Sequence, residues 1–156
     1  MKNETVEILN KNSGLPIKLL LSHSEFKDML KCQQILGGKY VENYMSFDYY
    51  YEDYFISFMG YPNDECKFYL TNMKFNSYNY HIFYITIGDR IDCAEKILSE
   101  YGYMKFNNEI SDFMGVTRKD TYYQLNDVQI RFNLNNSIIK EIEIYVKSKY
   151  LGNCLY

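Results

Sequence analysis

A chain of 156 residues, 47% of them hydrophobic, can bury a core as one compact unit or as two small interlocked ones, and it is not the composition of a disordered segment. A formal net charge of −3, with the lysines scattered, argues against a nucleic-acid partner, because phosphate affinity comes from clustered Lys and Arg. No run reaches membrane-spanning length, and Met1–Leu9 carries Glu4 and Glu7 where an export signal needs an apolar stretch, so the expected setting is cytoplasmic, with no membrane partner.

The first predicted helix opens at Ser22-His23-Ser24-Glu25, where a Ser followed three residues later by Glu forms a capping box. Phe26, Met29 and Leu30 give it an apolar face, Gly37-Gly38 ends it, and His23 is expected on the exposed side of its first turn. A hairpin around Glu52-Asp53 follows. Its core face would carry Tyr49, Tyr51, Tyr54, Ile56, Phe58, Phe68 and Leu70, and its outer face Tyr50, Phe55, Ser57, Met59, Tyr69 and Met73.

Asn76-Ser77-Tyr78-Asn79-Tyr80 is polar and turn-prone, and predicts a connection before an extended segment from His81 to Thr86. The second helix is expected to open at Asp89, to place Ile91, Ala94, Ile97, Leu98 and Tyr101 at helical spacing, and to stop at Gly102. A loop is expected within Phe106 to Lys119. Strands Tyr122–Leu125 and Val128–Asn133 then flank Asn126-Asp127, a two-residue turn that fixes the register. Pairing Leu125 with Val128 puts Tyr123, Leu125, Val128, Ile130 and Phe132 on the core face, and Tyr122, Gln124, Gln129 and Arg131 outside. After a turn at Asn135-Asn136, the strand Ile139–Val146 adds Ile142, Ile144 and Val146 to the core and leaves Glu141, Glu143 and Tyr145 outward.

The cysteines at 32, 66, 93 and 154 form no C-x-x-C pair, so no zinc ribbon is expected, and in a reducing compartment they are free. Cys93, within the second helix, and Cys66, within a strand, read as core filling. Neither a nucleophile motif, nor a phosphate-cradling loop, nor a metalloprotease signature organises any chemistry, and His81 sits in a connection. The expectation is a non-enzymatic chain without metal or cofactor.

Two segments resemble each other. Ile17, Leu19, Phe26, Met29 and Leu30 align with Ile85, Ile87, Ala94, Ile97 and Leu98 at an offset of 68. Tyr49, Tyr51, Asp53, Tyr54, Ile56 and Phe58 align with Tyr123, Leu125, Asp127, Val128, Ile130 and Phe132 at an offset of 74. The predicted organisation is an N-terminal segment (1–14), repeat 1 (15–75), a connection (76–82), repeat 2 (83–150) and a tail (151–156), in the α+β class, each repeat a helix packed on a small antiparallel sheet.

The stretch Ile85-Thr86-Ile87-Gly88-Asp89, followed by a helix bearing Ala94 and Leu98 and a tyrosine-rich meander, resembles the repeat of beta-lactamase inhibitory proteins, and is similar to the lipoprotein family that shares it. In the first copy Leu20 stands where Gly88 would. The resemblance implies a tandem helix-on-sheet protein whose sheets form a concave, aromatic-lined surface that grips another protein. No inhibition of beta-lactamase follows from it.

Eighteen tyrosines and no tryptophan support a binding surface from the residues themselves, since tyrosine offers large contact area with few rotors and a hydroxyl that tolerates water. Tyr50, Phe55, Met59, Tyr69, Tyr122 and Tyr145 would make it, edged by Arg131 with Glu141 and Glu143 as solvated charges. The expected partner is a protein, as for an inhibitor or immunity-type protein. The alternatives are a small planar ligand in a groove between the repeats, or a homodimer through the same patch.

Overall fold

The alternation of apolar and polar residues in the tyrosine-rich segments builds one large sheet. The computed structural model describes residues 7–10, 16–18, 22–27, 39–43, 46–60 and 68–146. In chain order the strands are β1 (Glu7–Asn10), β2 (Pro16–Lys18), β3 (Lys39–Asn43), β4 (Ser46–Tyr50), β5 (Tyr54–Met59), β6 (Tyr69–Phe75) and β7 (Tyr80–His81), then β8 (Met104–Phe113), β9 (Val116–Leu125), β10 (Val128–Asn135) and β11 (Ile138–Val146). Residues 23–27 are helical (α1), and α2 spans Ile91–Glu100.

Eight strands form a single antiparallel sheet in the order β3-β4-β5-β6-β11-β10-β9-β8, and β2-β1-β7 form a second, three-stranded one. The fold is therefore α+β. The expected separate sheets of the two halves are joined by the β6–β11 ladder, in which Met73 lies opposite Ile144 and Phe75 opposite Ile142. One face of the large sheet carries the core: Ile56, Phe58, Leu70, Met73, Phe75, Tyr123, Ile130, Phe132, Ile142 and Ile144 are all buried. Phe26 of α1 and Ala94 and Leu98 of α2 belong to the same cluster, as do Ile82 and Ile85.

The helix ends follow from local chemistry. Glu25 N–H donates to Ser22 Oγ at 3.2 Å and Ser22 N–H donates back to Glu25 Oε2 at 3.4 Å, the reciprocal pair of a capping box. At the end of α2, Gly102 adopts φ 91°, Tyr103 N–H donates to Leu98 O and Gly102 N–H to Ser99 O. That is a Schellman motif, and it explains the stop at Gly102.

In the second half the expected hairpin register is observed, with Val128 opposite Leu125, Ile130 opposite Tyr123 and Arg131 opposite Tyr122. Five expectations are corrected. Met73 is fully buried on the core face, because a bulge at Thr71 sets Ser57 opposite Asn72 but Phe58 opposite Leu70, reversing the alternation beyond it. Helix α2 begins after Arg90, while Asp89 instead accepts the Thr86 N–H at 2.9 Å. The turn before β11 falls at Asn136-Ser137, both with positive φ. The extended segment from His81 is broken by a tight turn in which Phe83 and Tyr84 take φ 47° and 66°, closed by mutual hydrogen bonds between Ile82 and Ile85. The expected loop from Phe106 to Lys119 is a long β8–β9 hairpin whose tip, Met114-Gly115, projects beyond β10.

Two side-chain expectations also change. His23 is buried: its ring stacks on Phe47 at 4.2 Å and its Nε2 lies 2.8 Å from Tyr49 Oη. Cys93 is in α2 but exposed, so it is not core filling. Met29, Leu30, Gly37-Gly38, Cys32, Cys66 and Cys154 lie outside the described residues. No described helix is long and apolar enough to cross a membrane.

Candidate binding face

The face opposite the core is built from the residues that alternate away from it. Strand register sets Tyr50, Phe55, Lys74, Glu143, Arg131 and Tyr122 side by side in one row across the sheet. A neighbouring row holds Asp48, Ser57, Asn72, Tyr145, Gln129 and Gln124, and Met59 lies opposite Tyr69 in the next. All seven residues expected to bind, namely Tyr50, Phe55, Met59, Tyr69, Tyr122, Arg131 and Tyr145, thus stand on one face of one sheet. Tyr50 is 44% exposed, and Phe55, Met59, Tyr69, Tyr122 and Tyr145 are half-buried.

Arg131 differs from the expectation of a solvated edge charge. It is only 7% exposed and reaches three carboxylates: Nη1 donates to Asp120 Oδ1 at 2.9 Å, Nη2 to Glu141 Oε1 at 2.5 Å, and Nε to Glu143 Oε1 at 3.1 Å. The three acids come from β9 and β11, the strands on either side of β10, so the guanidinium ties three strands together. Arg118 adds a second cation, contacting Asp120 at 3.1 Å and Glu141 at 3.4 Å, and Asn133 donates to Asp120 at 3.0 Å. Burial pulls the Arg131 pKa down, but the hydrogen bond to Glu141 and the fields of Glu143 and Glu141 more than offset it, and the net shift is upward. The group is a fixed cation.

The rim of this network is aromatic. Tyr122 donates its hydroxyl to Glu109 at 2.9 Å and lies 5.9 Å from the Phe106 ring. Burial, and then that acceptor, push its pKa up to about 12. Tyr145 is raised chiefly by burial and secondarily by Glu143. At the opposite end Tyr50 packs on Phe55 at 4.8 Å, and Lys74 Nζ sits 5.5 Å from the centre of the Phe55 ring. An open cleft of about 320 Å³ begins there, lined by Tyr50, Glu52, Phe55, Lys74, Asn76 and Glu141.

No family model, curated protein or solved structure matches this chain. Each carboxylate around Arg131 is committed to a guanidinium, an arrangement suited to holding a surface in shape. No cluster of His, Cys, Asp or Glu among the described residues is arranged to hold a metal ion.

Asp120, Arg118, Lys74 and Glu109 were not among the residues expected here. Asp120 and Glu109 had a readable signal: two residues from Tyr122 along a strand, or directly opposite such a residue, is the same face. For Glu109 the signal is hidden by the loop expected from Phe106 to Lys119, where the chain forms β8. Lys74 reaches the outer face because the Thr71 bulge turns Met73 inward.

Proposed function

We propose that this chain is a non-enzymatic binding module that grips another protein with the outer face of its eight-stranded sheet. One observation carries the reading: six aromatic or thioether side chains share that face, each partly open to solvent, around a base locked by the Arg131 network. Ring-rich side chains lose little rotamer freedom on binding, and a surface already held in shape loses less still. A sheet face turned to water ordinarily carries polar residues, so this composition calls for a partner.

A tandem duplication belongs to the same proposal. The strand order reads alike from either edge, each half running from a helical segment through four strands in meander to the central ladder. That order supports the resemblance to the beta-lactamase inhibitory protein repeat, and with it an inhibitor or immunity-type role against a protein target in the cytoplasm. The test is capture from source-cell lysate by wild type and by Tyr50→Ala/Tyr69→Ala, with circular dichroism as the fold control. A specific partner held by wild type and released by the folded variant is the expected result. Equal capture by both overturns the assignment of this face.

The cleft beside Tyr50 and Phe55 favours a second reading, a small planar ligand stacked on those rings. That reading predicts a rise in melting temperature with an aromatic ligand panel, abolished by Phe55→Ala.

A further inference from the structure

Strand β8 ends the large sheet, and among the described residues nothing pairs with its outer side. Its hairpin closes through Met114 (φ 49°) and Gly115 (φ 78°), with Phe113 opposite Val116. In such a two-residue turn the flanking residues exchange both hydrogen bonds, so Phe113, Ser111, Glu109 and Asn107 bond inward to β9. Asp112, Ile110 and Asn108 therefore aim their N–H and C=O groups at the open edge. Protein edges are normally blunted by charged side chains, lysine above all, by proline or by a bulge. From Asn107 to Phe113 this edge has no lysine, proline or bulge, its bulge lying at Phe106 near the other end, and its charges are Glu109 and Asp112. Ile110, in the middle, is 70% exposed.

We propose that β8 is a dimerisation edge, where two copies of this chain pair antiparallel about a two-fold axis through Ile110. Edge-facing residues must meet edge-facing residues, which leaves few registers. An axis at Glu109 opposes that carboxylate to itself, one at Ser111 sets Ile110 against Asp112 twice, and one at Asn108 draws the Phe106 bulge into the ladder. With the axis at Ile110, the two isoleucines meet, Asn108 faces Asp112 of the second copy twice, and Glu109 faces Ser111 twice.

The side chains are already turned for this register. Asn108 Oδ1 accepts from Thr121 Oγ1 at 2.7 Å, which leaves its amide as a donor. Asp112 Oδ1 accepts from Thr117 Oγ1 at 2.5 Å, which leaves Oδ2 as an acceptor. Donor meets acceptor on both sides of an apolar centre, the self-complementarity that a two-fold interface requires. The axis of an antiparallel pair stands perpendicular to the sheet, so both outer faces would look the same way. This inference does not rest on the binding role proposed for that face.

Sedimentation equilibrium of the full chain over a wide concentration range tests it. Wild type is expected at twice the 18.7 kDa chain mass, and Ile110→Lys at the chain mass itself with an unchanged circular dichroism spectrum. Asn108→Asp, which opposes two carboxylates twice, is expected to weaken the dimer about tenfold. Asn108→Asp/Asp112→Asn restores donor against acceptor, and with it the affinity. A wild type that stays at the chain mass at the highest concentration overturns the proposal, as does dimerisation indifferent to Ile110→Lys and Asn108→Asp.

Discussion

Replacing Arg131 by methionine leaves Asp120, Glu141 and Glu143 facing one another without the cation that now lies 2.5–3.1 Å from each. Removing one partner of a fully buried ion pair costs about 3–5 kcal/mol, because the remaining charge keeps its desolvation penalty. Here the arginine and Asp120 side chains are 8% and 10% exposed, but Glu141 and Glu143 are 24% and 21% exposed and can regain water by small rotations. The lower end of that range applies, about 3 kcal/mol, which for a chain of this size is a fall in melting temperature of about 6–12 °C. Urea titration and thermal melting of Arg131→Met against wild type measure it. Arg118→Met is the internal control: its side chain is 46% exposed, and its loss is expected to cost no more than about 1 kcal/mol. Arg131→Lys keeps the charge but not the three-way fan of donors, and should fall between. If Arg131→Met costs as little as Arg118→Met, the network is solvated decoration and the claim of a stiffened face is wrong.

Three further outcomes are expected. Burial holds the Tyr103 and Tyr122 hydroxyls up to about 12 and raises Tyr54 and Tyr123 as well, so these groups ionise more easily unfolded than folded. Their contribution is complete below pH 10 and is lost as pH rises through the folded values, so the melting temperature should be flat with respect to these groups up to about pH 10 and then drop, with ultraviolet absorbance showing a late tyrosinate step. Tyr84→Asn is expected to stabilise the fold by about 1 kcal/mol, since an 81% exposed side chain now sits in the left-handed region that asparagine tolerates better; a destabilised variant would show that the stack on His81 matters more than the backbone. Gly88→Ala should cost about 1–2 kcal/mol in chemical denaturation, although an added Cβ would meet no atom within 4 Å, because φ of 94° alone disfavours a side chain.

Where a local rule decides, the sequence was readable. Ser22 and Glu25 announce the start of α1, Gly102 ends α2, and the two-residue turn at Asn126-Asp127 is enough by itself to settle the pairing of Tyr122 with Arg131. Reading failed where a single residue shifts the phase of everything after it. Thr71 looks like an ordinary strand residue, yet as a bulge it exchanges the faces of Met73 and Lys74. The β8–β9 hairpin was missed because both of its faces meet water, which removes the alternation by which strands are recognised. His23 is expected exposed in the first turn of its helix, and Arg131 solvated on the outer face where the hairpin register puts it; both are buried. What buries them lies far along the chain: Phe47 and Tyr49 for the histidine, and carboxylates from β9 and β11 for the arginine. The shared outer face was thus visible from alternation, and the network that holds it in shape was not.

The central position of the β6–β11 ladder bears on how the chain is made. Synthesis delivers β6 long before β11, so the edge at which Met73 and Phe75 meet Ile144 and Ile142 has no partner strand until β11 is made. Closure joins segments some 70 residues apart, a contact of the kind that slows folding because the loop must be ordered before the pairing rewards it. Unpaired strand edges of this kind favour capture by other chains, and pairing with β11 is what covers the edge of β6.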